Sequence, residues 1–181
     1  TVLPGKFTIT VRTINVAADN QSKVYGDDNP ELTYTHDALF YGDKFTGVLE
    51  SLRKHVGAGD ITQGSLALSS DYVIVFTKGT MTVTQRAITV TLADASKVYG
   101  EADPDLTVCV LTSGSTGYDD ALNGVCDGSR VNTSNHVGEY AITGSDAYWT
   151  KGVSSDYSIT VLPGKLTITV RTINEIGRAH V

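Results

Sequence analysis

The chain repeats itself, and this repetition constrains its fold more than any other feature of the sequence. The segment 1–15 returns at 160–174 with a single change among its fifteen residues. A second landmark, the pentapeptide SKVYG, occurs at Ser22–Gly26 and again at Ser96–Gly100, an offset of 74 residues (96 minus 22). Self-similarity at such a spacing indicates a string of similar modules, each with its own small core.

The repeat also predicts the domain organisation. Modules of about 75 to 85 residues are small but can fold alone. The predicted segments are 1–11 as the closing strand of a preceding repeat, 12–85 as repeat 1, 86–170 as repeat 2, 171–174 as the start of the next repeat, and 175–181 as a non-native, adapter-like tail. We expect the tail to make no core contact, and we expect the segment 1–11 to lack partners for its apolar face.

Charge and composition exclude some classes of partner. The chain has a net charge of −6, and 40% of its residues are hydrophobic, which suits a thin sandwich core. Without a basic stripe it has nothing to neutralise phosphates, so we expect no nucleic-acid partner. An anionic membrane surface is disfavoured for the same reason, and we expect no membrane contact by this segment.

The hydrophobic pattern has a period of two, which is typical of half-buried strands. Phe7, Ile9 and Val11 alternate with threonine and arginine, and the same alternation returns in 164–171. We therefore predict an all-β protein of two tandem immunoglobulin-like antiparallel sandwich modules. A β-grasp module is the alternative, and it requires a helix at Leu49–Val56.

Each module is also predicted to end in a β-hairpin. The turns would lie at TKGT, residues 77–80, and at LPGK, residues 162–165. Pro163 presets the backbone for the second position of a type II turn, and Gly164 can take a positive φ at the third.

The strongest local signature is KVYGDDNP and its counterpart KVYGEADP. In both copies a strand ends at the tyrosine, the glycine permits a backbone conformation that a Cβ would obstruct, and the proline leads into the next strand. The predicted structural positions are Lys23, Tyr25, Gly26, Pro30, Lys97, Tyr99, Gly100 and Pro104.

In these residues the chain resembles the MBG domains, or YGX-type repeats, of large bacterial surface and adhesin-like proteins. Further matches are the GD of Gly42 and Asp43, the VGEYAI that begins at Val137, and the SDY that precedes the last strands. The sequence departs from the family pattern at Val108, which replaces the second tyrosine of LTY, and at Ala58–Asp60. The resemblance implies an extracellular, secreted or surface-anchored stalk or adhesion module with no catalytic residues. Its implied partners are neighbouring repeats of the same chain and host or matrix glycans or proteins.

The acidic turns offer a competing prediction, a Ca²⁺ site. Asp27, Asp28 and Glu31 in the first turn, or Glu101, Asp103 and Asp105 in the second, offer hard oxygen ligands that lie close together along the chain. They follow no 12-residue calcium-loop pattern, however, and Asp and Asn before Pro are ordinary turn formers. We therefore expect no cofactor and no metal, with Ca²⁺ as the alternative.

Two cysteines, Cys109 and Cys126, are candidates for one disulfide in an extracellular protein, with a pair of free half-buried thiols as the alternative. Tyr148 and Trp149 are candidates for a small sugar- or peptide-contacting patch, or else they cover one end of the sandwich. The four histidines are scattered, and no catalytic or phosphate-binding motif occurs. We therefore predict that the chain is not an enzyme.

Overall fold

The computed structural model describes residues 4–174, which divide into two compact units at Gln85 and Arg86. Both units are all-β, as predicted. In the first unit the strands are β1 (Arg12–Ala18), β2 (Gln21–Val24), β3 (Tyr34–His36), β4 (Gly57–Ile61), β5 (Tyr72–Thr77) and β6 (Gly79–Thr84). In the second they are β7 (Arg86–Leu92), β8 (Ala95–Val98), β9 (Cys109–Ser113), β10 (Ala121–Cys126), β11 (Ser129–Arg130), β12 (Gly138–Thr143), β13 (Ala147–Lys151), β14 (Tyr157–Leu162) and β15 (Gly164–Thr169).

The two units share one topology. In the first, one sheet has the order β3-β1-β5 and the other β2-β6-β4. In the second, the matching sheets are β9-β7-β14 and β11-β12-β15-β8, with β10 and β13 forming an additional pair. Where the second unit has that pair, the first has only isolated bridges from Thr46 to Ala67 and from Glu50 to Thr62. The four larger sheets are mixed rather than purely antiparallel, because each contains a parallel pair as well as an antiparallel one, whereas β10 and β13 pair antiparallel.

The parallel pairs join the start of each module to its end. β1 runs parallel to β5, and β2 runs parallel to β6. Only Asp19 and Asn20 separate β1 from β2, and only Lys78 separates β5 from β6. The first and last stretches of the module therefore lie side by side and cross from one sheet to the other together. β7, β8, β14 and β15 repeat this arrangement in the second unit.

The predicted closing hairpins are therefore wrong. β5 and β6 belong to different sheets, as do β14 and β15, so the segments between them change sheets instead of reversing the chain. Gly79 and Gly164 are needed for close approach. A Cβ on Gly79 would lie 2.8 Å from the carbonyl oxygen of Ala18, and one on Gly164 would lie 2.7 Å from that of Leu92.

A core cluster of the second unit draws side chains from all three of its sheets. Val90, Leu92, Cys109, Cys126, Ile142, Ala147, Leu166 and Ile168 form this cluster. The first unit likewise buries alternate residues of β1 and β6, among them Ile14, Val16, Met81 and Val83. The threonines between the buried residues of β6 face solvent, as the period of two predicts.

The β-grasp alternative is wrong, because Leu49–Val56 contains no helix. Residues 4–11 form no strand, and Phe7 and Ile9 are 88% and 82% exposed. An apolar alternation gives a strand only where a neighbouring strand receives its hydrogen bonds. The prediction for the tail 175–181 lies outside the described residues.

Candidate functional site

The YG turn of the second module is built around a buried lysine. The Lys97 side chain is only 4% exposed. Its ammonium group donates to the Asp103 carboxylate at 2.6 Å, to the Glu101 carbonyl at 3.1 Å and to the Asn135 amide oxygen at 3.1 Å. All three of its donors are thus used, which is what a buried charge requires.

Asp103 completes this network from the other side. Its second carboxylate oxygen lies 2.8 Å from Arg130 Nε, and Arg130 also donates to Asn135 Oδ1 at 2.9 Å. The hydrogen bond from Lys97 and the charge of Arg130 hold the pKa of Asp103 below its usual value. This carboxylate, one of the candidate Ca²⁺ ligands, therefore faces two cations.

The first module has the same turn. Lys23 donates to the Asp27 carbonyl at 3.0 Å. The position of Asp103 is taken by Asn29, which donates to the Ser51 carbonyl at 2.8 Å. Gly26 has a φ of 87° and its counterpart Gly100 a φ of 88°, so the predicted need for glycine is met by a left-handed backbone in both copies.

The motif tyrosines differ although their local sequences are identical. Tyr25 is 2% exposed and stacks against His55, with ring centroids 5.9 Å apart. Tyr99 is 45% exposed. Both backbone amides donate to the end of the neighbouring strand, to Thr84 and Thr169 respectively. Pro30 and Pro104 are half-buried at the start of the following segment. The turn therefore has the same backbone in both modules, whereas its tyrosine has a different environment.

The other candidate residues are separated or already engaged. Asp27 and Asp28 are exposed, and Glu101 accepts from the backbone N–H of Val98 at 3.0 Å. Among residues 4–174 no group of three or more His, Cys, Asp or Glu side chains is placed to hold a metal ion. Cys109 and Cys126 are joined, with their sulfur atoms 2.07 Å apart.

Tyr148 and Trp149 do not form one surface. They are successive residues of β13, and successive side chains of a strand point to opposite faces. Tyr148 is 50% exposed, whereas the Trp149 ring stacks on Tyr157 with centroids 4.2 Å apart.

A second constellation, which the sequence analysis did not assign as a site, recurs in both modules. The Tyr157 hydroxyl donates to the Asp120 carboxylate at 2.8 Å and accepts from the Gly117 backbone N–H at 2.8 Å. In the first module the Tyr72 hydroxyl donates to Asp43 at 2.8 Å and accepts from the Phe40 N–H at 3.3 Å. We call each of these a clamped turn: residues 40–43 held by Tyr72, and residues 117–120 held by Tyr157.

The clamps perturb the acidity of both phenols. Burial, together with the hydrogen bond to Asp120, raises the pKa of Tyr157 to about 12. The hydrogen bond to Asp43 raises the pKa of Tyr72 above its ordinary value. Both tyrosines therefore remain neutral hydrogen-bond donors at any physiological pH.

Each clamped turn holds a tyrosine in an unfavourable backbone conformation. The turns are closed by Asp43 N–H donating to the Phe40 carbonyl at 2.9 Å and by the equivalent bond from Asp120, at 3.1 Å. Inside them Tyr41 has a φ of 53° and Tyr118 a φ of 49°, and among the described residues no other non-glycine has a positive φ. Such a conformation costs a bulky residue of order 1–3 kcal/mol. The signal in the sequence was the shared offset of 77 residues that relates Tyr41 to Tyr118.

Comparisons with known proteins agree with the resemblance read from the sequence. The family model for the MBG domain (YGX type) matches the chain twice, at residues 14–82 and 88–167. Neither a search of curated proteins nor one of solved structures returned a significant match. Within the described residues no helix is long and apolar enough to span a membrane. The two matches cover most of the chain, one in each compact unit, and the chain therefore belongs to the MBG (YGX-type) domain family.

Proposed function

We propose that the chain is a load-bearing, non-catalytic segment of a secreted or cell-surface bacterial protein, whose repeats project or present other domains. Membership of the MBG family supports a role as a surface-protein repeat module. The disulfide between Cys109 and Cys126 supports an oxidising, extracellular location. The proposal assigns no cofactor, and its partners are the neighbouring repeats of the same chain.

The observation that carries the proposal is the parallel pairing of the first and last strands of each module. β1 and β5 pair over six residues, and β2 and β6 pair over four. The chain enters the module at the start of β1 and leaves it at the end of β6. Because the paired strands run in the same direction, tension between these points slides one along the other. The ladder hydrogen bonds are then loaded together instead of one at a time.

The last two strands of the first module also form a long extended stretch. The stretch 72–84 consists of β5, Lys78 and β6, and thirteen residues of extended chain span at most about 43 Å. Gln85 alone separates β6 from β7.

Single-molecule pulling of the protein between its termini tests the proposal. We expect two unfolding events at forces well above those of a helical reference domain placed in the same tether. The matched variants are Ile14→Ala and Leu66→Ala, which remove buried side chains that are 1% and 2% exposed. Each should cost about 2–5 kcal/mol at equilibrium.

The two variants differ in where they act. Ile14 lies in the β1–β5 ladder, whereas Leu66 lies in the segment between β4 and β5. A load-bearing ladder predicts that Ile14→Ala lowers the unfolding force of the first module clearly more than Leu66→Ala does. Equal losses of force, or unfolding at the force of the helical reference, would contradict the proposal.

A further inference from the structure

The edge strands of the two modules differ in how they are protected from pairing with another chain. An edge strand leaves backbone N–H and C=O groups unpaired, and natural proteins shorten such a strand, charge it or interrupt its register. β3 and β11 are only three and two residues long. β2, β8 and β4 contain Lys23, Lys97 and Asp60, and β9, β10 and β13 have irregular registers. Among the edge strands of the described residues, only β5 and β14 have none of these features, since both are six residues long, uncharged and regularly paired.

Of these two strands, β5 is the more apolar. Its outward side chains Val73 and Val75 are 48% and 49% exposed, whereas β14 has Ser158 and Thr160 at the equivalent places. Among residues 4–174, β5 pairs with β1 alone, and its other edge has no partner strand. An added strand at this edge would therefore remove exposed apolar surface from water, which favours association.

The backbone of β5 presents hydrogen-bonding groups to a strand on its open side. The Arg12 N–H donates to the Asp71 carbonyl at 2.8 Å, which begins the parallel ladder between β1 and β5. Along such a ladder the backbone groups of successive residues face opposite edges of the strand. Asp71 and every second residue after it therefore face β1, whereas Ile74 and Phe76 face the open edge. Each of these two residues offers one N–H donor and one C=O acceptor to an added strand.

The sequence around this edge suits a second copy of the same strand. Within residues 71–78, DYVIVFTK, the charged residues are Asp71 before β5 and Lys78 after it. Lys78 contacts Asp60 of its own module at 2.6 Å, yet its side chain is 62% exposed and remains accessible. A two-fold axis pairs two β5 strands antiparallel and brings each Asp71 near the Lys78 of the other copy, whereas a parallel pair would bring like charges together.

We propose that the open edge of β5 pairs antiparallel with β5 of a second copy of the chain, so that the two β3-β1-β5 sheets become continuous. The Tyr72 N–H already donates to the Ser69 carbonyl at 3.2 Å, so the pairing uses Ile74 and Phe76. Ile74 of one copy then lies opposite Phe76 of the other, and Val75 lies on the two-fold axis. There the two Val75 residues form a non-hydrogen-bonded pair, whose Cα atoms lie about 4.5 Å apart.

Cysteine cross-linking of the full chain tests this surface and its register. The native Cys109 and Cys126 are bonded to each other and buried, so an introduced cysteine supplies the free thiol. Val75→Cys places two thiols within the Cα separation of about 4.4–6.8 Å that a disulfide needs. The two Val73 residues would lie about 14 Å apart along the paired strands. We expect Val75→Cys to form linked dimers on mild oxidation at least about tenfold faster than Val73→Cys, although the two side chains are almost equally exposed.

Sedimentation equilibrium measures the association without a cross-link. We expect the mean mass of the wild-type protein to rise from monomer towards dimer as its concentration approaches about 1 mM. Val75→Lys sets two like charges opposite each other on the axis and should raise the dissociation constant about tenfold or more. Thr13→Lys is the matched control, because it adds the same charge to an exposed position of the central strand β1. It should leave the dissociation constant within about twofold of the wild-type value. Both variants should melt within about 3 °C of the wild type, because both side chains face solvent.

Three results would overturn the proposal. The first is a wild-type protein that stays monomeric at about 1 mM. The second is a Val75→Cys variant that links no faster than Val73→Cys, since the links would then come from random collisions. The third is equal weakening of the dimer by Val75→Lys and Thr13→Lys, since the contact would then lie on a sheet face and not at the edge of β5. The pulling experiment follows single molecules without a second copy, so it tests the load-bearing function independently of this proposal.

Discussion

In the YG turn of the second module the buried Lys97 belongs to a charged network around Asp103, whereas in the first module the uncharged Asn29 stands at the position of that carboxylate. Lys97 contacts Asp103 and Asn135, and Arg130 contacts both of these partners. The second module also ties β9 to β10 with a disulfide. Both modules nevertheless keep the same parallel strand pairs and the same clamped turn. The strand pairs and the clamp are thus what the repeat retains, while the stabilisation of its loops varies.

Removal of the carboxylate that pairs with the buried Lys97 should have the largest effect, and it tests this difference between the two turns. Asp103→Ala leaves the Lys97 ammonium group buried without its carboxylate, and we expect the second module to lose about 3–4 kcal/mol. The matched change in the first module, Asn29→Ala, removes one hydrogen bond to the Ser51 carbonyl and should cost about 1 kcal/mol.

Chemical denaturation separates the two modules, because Trp149 is the only tryptophan and lies in the second. Its fluorescence follows that module alone, while far-UV circular dichroism follows both. Equal losses from the two substitutions would show that the Asp103 carboxylate stabilises its turn no more than Asn29 stabilises the turn of the first module.

The sequence predicted the parts of the fold that depend on local pattern. The period of two located β6 and β15, and the duplicated SKVYG predicted two modules and, in each turn, a glycine whose backbone conformation a Cβ would obstruct. The same reasoning predicted hairpins at Lys78 and Pro163, because LPGK is typical of a tight turn. Whether a turn reverses the chain or carries it across a sandwich depends on which distant strands pair with its two arms, and that information is not local.

For the candidate sites, too, the local sequence predicted some features, whereas segments far along the chain decided others. Tyr25 and Tyr99 share an identical pentapeptide, yet they differ in exposure, because burial is set by segments far along the chain. Tyr148 and Trp149 are adjacent in sequence and were candidates for one patch or for a cover of the sandwich end, and the alternation of β13 places them on opposite faces. The clamped turns were recoverable in principle, since the shared offset of 77 residues relates Asp43 to Asp120 as well as Tyr41 to Tyr118.

Opening the disulfide is expected to have the next largest effect. The bond between Cys109 and Cys126 closes a loop with a sequence separation of 17 residues. In the chain-entropy model such a loop stabilises the folded state by about 3 kcal/mol. In the variant with both cysteines changed to serine, the free energy of unfolding of the second module should therefore fall by about that amount. The free energy of unfolding of the first module should not change.

The pulling experiment provides a separate readout of the same bond. In the oxidised protein the loop cannot extend, so reduction should lengthen the unfolding step of the second module by roughly 5 to 6 nm. The unfolding step of the first module is the internal control and should not change. If the unfolding step of the second module had the same length before and after reduction, the disulfide would not be present in the protein.

The smallest expected effect is the loss of stability at high pH, which should differ between the two clamps. The folded pKa of Tyr157 is raised from 10.0 to about 12, so its stabilising contribution is complete below pH 10 and is lost as the pH rises through 12. Between pH 10 and pH 12 Tyr157 is ionised in the unfolded chain but still neutral in the folded one. The free energy of unfolding of the second module should therefore fall by about 2 kcal/mol over this range. Tyr157→Phe should be less stable at pH 7, because the bonds to Asp120 and Gly117 are gone, but its stability should vary less with pH above 10.

Tyr72 provides the comparison in the first module. Its pKa is also raised, but the ring is only half-buried, so the first module should lose less stability over the same pH range. Trp149 stacks on Tyr157, so its fluorescence in denaturation series from pH 9 to pH 12 reports the clamp of the second module directly. If Tyr157→Phe kept the full wild-type slope above pH 10, the loss would come from other groups such as lysines. The two clamps would then be equivalent despite the deeper burial of Tyr157.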